Sequence, residues 1–261
     1  MNIFKIILVT LLTSNVYAFT LNSNTGKGFN KNSIDIYVAD TDCSGAGFTT
    51  EKYVTLIKSA MKRFWNAVPT SALYLDVKGI DTSIDIDGDN HTAAIAKTKS
   101  NTILAGCNDD ATDFDQPGIL GSAKMQCTGS TCKAVLILNA HANSSLKNKS
   151  EGDVEAIIAH EVGHAFGLGH SEYQYNLMYY NISGKFQKWL GQDDIDGITY
   201  LYPHDSELDV LGISLLGSCA TINTSPKSDT TKNFLKTFLA GIFSVMFLFL
   251  TLRLFKLRDR F

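Results

Sequence analysis

HEVGHAFGLGH, residues 160–170, places three histidines and one glutamate within eleven residues. Just upstream, Ser150 followed by Asp153 is a capping-box-like start, and Val154, Ile157, Ile158 and Val162 give a helix its apolar stripe. On that helix His160 and His164 are one turn apart and project from one face, so both imidazoles can reach one ion. Glu161 is turned away around the helix, beside a metal rather than on it, where a carboxylate can take a proton from metal-bound water. Gly167 breaks the helix where a residue without a Cβ turns most easily, and the turn brings His170 round as a third ligand. Three neutral imidazoles with one position left open suit a catalytic zinc. Two histidines around a glutamate can arise by chance. The glycine break and third histidine do not suit an ordinary buried helix, where unpaired polar groups are costly.

Both ends of the chain differ from its middle. With 261 residues and 44% hydrophobic content it can bury one substantial core and still supply an anchor. The net charge of -3, with no basic run outside the C-terminus, gives no reason to expect a nucleic-acid partner. Residues 1–18 read as a secretory signal: a short basic start, an apolar run, and small residues that favour a cut after Ala18. Residues 234–252 are nearly all apolar and, as a helix, span about 28 Å, close to a hydrocarbon core. Lys236 sits near one end, and Arg253, Lys256, Arg258 and Arg260 follow, so residues 253–261 are expected to stay in the cytoplasm. The expected order is thus a signal (1–18), an external domain (19–205), a polar stalk (206–233), a membrane span (234–252) and a basic tail. A sorting tail removed after export is the alternative for the span.

Five cysteines fit an oxidising compartment. Cys127 and Cys132 flank a Thr-Gly-Ser-Thr turn and could staple a hairpin, and Cys43 and Cys107 could form a second bridge. Cys219 is then left over: free, intermolecular, or a ligand. Residues 33–39 read as a strand from the alternation of Ile34, Ile36 and Val38. Residues 50–66 read as an amphipathic helix, with Tyr53, Leu56, Ile57, Ala60, Met61 and Phe64 on one face. Residues 73–77 and 134–138 read as strands, and 194–201 as a last short helix stopped by Pro203.

The histidine stretch resembles the metzincin metallopeptidases, and the resemblance continues along the chain. Ser171 after His170 matches the matrixin branch, and SEYQYNLMYY places Met178 at the spacing of the Met-turn that supports the zinc from below. LGQDDIDGITYLYP (190–203) is similar to the C-terminal helix of matrixin catalytic domains. FDQPGILGSA (114–123) resembles more loosely the loop and edge strand that align substrate. The likeness covers about residues 33–203. It implies an α+β fold, a twisted mixed sheet packed on helices with an active-site cleft between. It also implies that, once a cut after Ala18 frees it, the N-terminal aromatic residue Phe19 pairs its ammonium with an aspartate of the QDD sequence, Asp193 or Asp194; a frayed, solvated terminus is the alternative.

Several residues depart from the family pattern. No cysteine-bearing pro-segment of the matrixin kind is evident, so latency by that route is not expected. Asn108 and Ser122 stand near where two ligands of the family's second zinc would be. His141 alone cannot hold that ion, so one zinc is expected. The acidic loops 85–90 and 108–115 read as solvated, with calcium as the alternative; the first is no EF-hand, because Gly88 is misplaced. Tyr180 replaces the proline usual two residues after the Met-turn methionine. Astacin-like and serralysin-like metzincins carry a tyrosine there that can touch zinc, which suggests an oxyanion donor; a ring packed under the cleft is the alternative.

These readings converge on an exported, membrane-anchored zinc endopeptidase acting on protein or peptide substrates. Glu161 is its base, and His160, His164 and His170 are its ligands. A zinc amidase for cell-wall peptides and a surface binding protein retaining an old metallopeptidase fold are the alternatives. Intact Glu161 argues against the second, since a purely structural site needs no base.

Overall fold

In the computed structural model, β1 (Ser33–Ala39) forms where the alternation of Ile34, Ile36 and Val38 places it. β2 (Tyr74–Asp81) and β3 (Thr102–Asn108) pair with it in parallel on either side. β5 (Thr131–Asn139) adds in parallel to β3, and β4 (Gly121–Thr128) closes the edge antiparallel to β5. The sheet order is therefore β2-β1-β3-β5-β4. The structure describes residues 19–22, 25–109, 114, 118–181 and 189–204. The expected signal, stalk, apolar span, basic tail and Cys219 lie outside the described residues. Among the described residues no helix is long and apolar enough to cross a membrane.

Strand alternation divides the core between two faces. Ile103, Ala105, Ala134, Leu136 and Leu138 join Ile34, Ile36 and Val38 beneath α1 (Thr50–Arg63) and α3 (Glu151–Phe166). Leu104, Val135 and Ile137 face the other way, onto Ala94 and Ile95 of α2 (His91–Lys97). Because β3 is covered on both faces, all its residues are buried. A strand of that kind carries no alternation to be read from sequence. α2 was equally hidden: Asn90 caps it by accepting the amide of Ala93 at 3.0 Å, at the end of what reads as an acidic loop.

α1 ends three residues earlier than its apolar pattern suggests. Phe64 leaves the helical region at φ -105°, ψ -86°, and Trp65–Ala67 form a single 3₁₀ turn. That turn buries Trp65, whose Nε1–H donates to Ala159 O at 2.8 Å and whose ring meets Phe166 edge-on at 4.8 Å. A tertiary bond to α3 has overridden a local preference. α3 starts as expected, with Ser150 Oγ accepting the amide of Asp153. α4 (Gln192–Leu201) begins two residues before the expected start. β2 and β5 run beyond their expected ends, with β5 continuing into the hairpin with β4. Both expected disulfides are formed: Cys43–Cys107, and Cys127–Cys132 between directly opposed residues of β4 and β5.

Candidate metal centre

α3 and the turn after it bring His160, His164 and His170 together, with one ligand atom of each within 4.8 Å of the others. Two of the rings are oriented by main-chain carbonyls: His160 Nδ1 meets Leu177 O at 2.7 Å, and His164 Nδ1 meets Leu168 O at 2.9 Å. A carbonyl only accepts, so each Nδ1 carries the proton and each Nε2 keeps its lone pair for a metal. His164 Nε2 and His170 Nε2 stand 3.1 Å apart. Two nitrogens each about 2.0–2.1 Å from a tetrahedral zinc lie about 3.3 Å apart, so the donor set fits that ion. Burial lowers the pKa of His164 to about 4 and also lowers that of His170. Both imidazoles are thereby held in the neutral form that binds metal.

Gly167 ends α3 at φ 125°, a conformation other residues rarely adopt, and a Cβ there would lie 2.8 Å from Lys27 O. Met178 is buried beneath the same helix, and a Cβ at Gly163 would collide with its Sδ. The thioether thus rests on α3 between His160 and His164. Its loop is held by Asp194, which accepts the amides of Leu177 at 2.6 Å, Met178 at 3.0 Å and Gly191 at 2.7 Å. Leu177 in turn orients His160. With three amides on it, Asp194 is committed to this loop. Asp193 accepts the hydroxyl of Ser171 at 2.6 Å, next to the third ligand. Phe19 itself lies along α4, its ring 5.3 Å from Tyr200.

Glu161 is buried one residue from the first ligand. Its Cγ would be 3.2 Å from a Cβ at Gly121, which shows how closely β4 approaches it. Burial pushes its carboxyl up to about 8. It opens on a cleft of about 730 Å³ whose lining includes the three histidines, residues 118–123, residues 20–22 and Tyr180. Tyr180 is 64% exposed, with its ring 4.6 Å from Tyr179. A hydrogen bond to the Tyr180 phenol, with some burial, raises the pKa of Tyr179. Tyr180 therefore stands at the cleft rather than packed beneath it.

Among the described residues, the three histidines are the one group of His, Cys, Asp or Glu side chains whose donor atoms converge. Asn108, at the end of β3, donates its side-chain amide to Asp89 O, and His141 Nδ1 accepts the amide of Asn143 at 3.2 Å. Ser122 sits on β4 opposite Ile137. In the first acidic loop, Asp85 accepts the amide of Asp87, and Asp89 pairs with Lys97. Sequence reasoning missed residues 20–22 and the loop-holding role of Asp194. Gly169 was the one local hint of a close neighbour.

The chain is similar to known proteins over part of its length. The family model for matrixin matches residues 51–203. Metalloendoproteinase 2-MMP of Arabidopsis thaliana is 39% identical over 67 residues, covering 25% of this chain and 18% of that protein. Metalloendoproteinase 1 of Glycine max is 49% identical over 51 residues, covering 19% and 17%. The chain thus spans less than a fifth of the length of either relative. The crystal structure of metalloproteinase-II from Bacteroides fragilis aligns with 76% of this chain and 61% of its own, at 12% identity and a TM-score of 0.42.

The buried ionisable groups give the metal-free protein a defined pH response. The folded state holds the Glu161 proton up to about pH 8, whereas the unfolded chain releases it near 4.5. This contribution to stability is full below the unfolded value and is lost as pH rises through the folded one. His164 acts in the opposite sense: its contribution is present above 6.5 and lost as pH falls through about 4. Glu161→Gln cannot ionise, so its gain in melting temperature over wild type should be larger at about pH 8 than at about pH 5. Melting curves of the two metal-free proteins check this, and an equal difference at both pH values contradicts it.

Proposed function

We propose that this chain, which belongs to the matrixin family, is a zinc-dependent endopeptidase, exported and held at a membrane by its C-terminal span. The observation that carries the activity is the convergence of three imidazoles beside one buried carboxylate, in a cleft bordered by an open strand edge. His160, His164 and His170 would hold the ion. Bound there, zinc would supply a Lewis acid for the scissile carbonyl and a positive charge drawing Glu161 toward its ionised form. Glu161 takes a proton from the attacking water and delivers it to the leaving amine nitrogen. β4 is an edge strand, so an extended peptide can be held along it by main-chain hydrogen bonds.

A mere binding protein would have no use for Glu161, and an amidase for cell-wall peptides would share the chemistry but not the substrate. Incubating the zinc-loaded protein with an unfolded protein and with cell-wall fragments separates the three readings. Cleavage of the unfolded protein is expected; cleavage of the fragments alone, or of neither, overturns the proposal. Glu161→Gln should keep its zinc while losing several orders of magnitude in proteolysis, since the base also steers the nucleophile. Activity within about tenfold of wild type would remove Glu161 from that role.

Tyr180 has a second part in this reading. It stands at the cleft with its phenol on Tyr179, from where it can turn to donate to the developing oxyanion. Such a donor is worth roughly 2.7–4 kcal/mol. Tyr180→Phe is expected to lower kcat with KM nearly unchanged, and an unaltered kcat would count against the role. Export is supported by the signal-like residues 1–18, the apolar run 234–252 and two disulfides that suit an oxidising compartment. Protease added to intact cells should remove the catalytic domain and spare residues 253–261. Complete protection of the domain would contradict this orientation.

A further inference from the structure

His160 and His164 each have a carbonyl to orient the ring, but His170 does not. Among the described residues its ring makes no hydrogen bond beyond the contact with His164 Nε2. Its direction must therefore come from the backbone that carries it. That backbone is intrinsically loose, because Gly167 and Gly169 flank Leu168 immediately before the ligand.

Residues 20–22 run alongside this segment. Leu21 and Leu168 form an antiparallel bridge, Gly169 N donates to Thr20 O at 2.8 Å, and Asn22 N donates to Gly167 O at 2.8 Å. The Thr20 hydroxyl donates to His170 O, and Asn22 Nδ2 donates to His164 O at 3.3 Å. A Cβ at Gly169 would collide with Thr20 Oγ1 and lie 2.6 Å from Leu21 O, so a glycine is needed for this close approach. The same segment contributes to the wall of the cleft.

We infer that residues 20–22 are a strap that positions the third metal ligand, with Thr20 as its principal positioning residue. The strap holds the main chain of His170 directly. Through Leu168 it also steadies the carbonyl that orients His164. The inference rests on the metal-binding reading above, but it concerns how tightly the ion is kept rather than whether peptides are cut. It does not require a free ammonium at Phe19, because all the contacts begin at Thr20.

The test follows zinc release from the zinc-loaded full chain into excess chelator, at a temperature where every variant is folded. Thr20→Val keeps the side-chain shape and loses the donor. It should release zinc about tenfold faster or more, the usual scale for losing a group that orients a ligand. Thr20→Ser restores the donor and should return the rate to near that of wild type. Gly169→Ala displaces the strap without removing any hydrogen-bonding side chain, and should also speed release. If wild type takes up no zinc, the metal reading itself fails. If wild type holds zinc and Thr20→Val releases it at the wild-type rate, or Thr20→Ser is as fast as Thr20→Val, the strap is wrong.

Discussion

Two imidazoles give their Nδ1 protons to main-chain carbonyls, His160 to Leu177 and His164 to Leu168, and these bonds decide where their Nε2 lone pairs point. Much of the structure around the site exists to keep those two carbonyls still. Leu177 is held by the carboxylate of Asp194, which also gathers the amides of Met178 and Gly191. Leu168 is held from inside by its amide on Gly163 O and from outside by the bridge to Leu21. A change at Asp194 or Leu21 would therefore reach the ligands without touching them.

The carboxyl of Glu161 is set by a different constraint. Glu161 shares α3 with His160 and His164 but is closed in by β4, whose glycine at 121 lets the strand come within contact of the side chain. Burial there raises the cost of the ionised carboxylate, which is why its proton is retained to about pH 8 without a metal. Among the described residues the same strand is an edge of the sheet. One element thus encloses the Glu161 carboxyl and borders the cleft.

Legibility from sequence followed the range of the interactions. The α3 helix, its cap at Ser150, its break at Gly167 and the convergence of the three histidines depend on contacts within about one or two turns, and spacing alone points to them. The role of Met178 came only through family likeness. β3 shows no alternation because it is buried on both faces, and α1 is shorter than its apolar pattern because Trp65 bonds to Ala159 across 94 residues. The docking of Thr20 on His170 spans 150 residues, and no local pattern records it. Asp194 could be placed on its helix, but that its carboxylate faces the Met178 loop is a tertiary fact.

The central claim is that three imidazoles share one ion and leave a position open. X-ray absorption at the zinc edge, combined with elemental analysis of the same purified protein, tests this most directly. About one zinc per chain is expected, with three imidazole nitrogens and one oxygen at about 2.0–2.1 Å. Two zincs per chain, a sulfur in the coordination sphere, or no retained zinc would contradict the account.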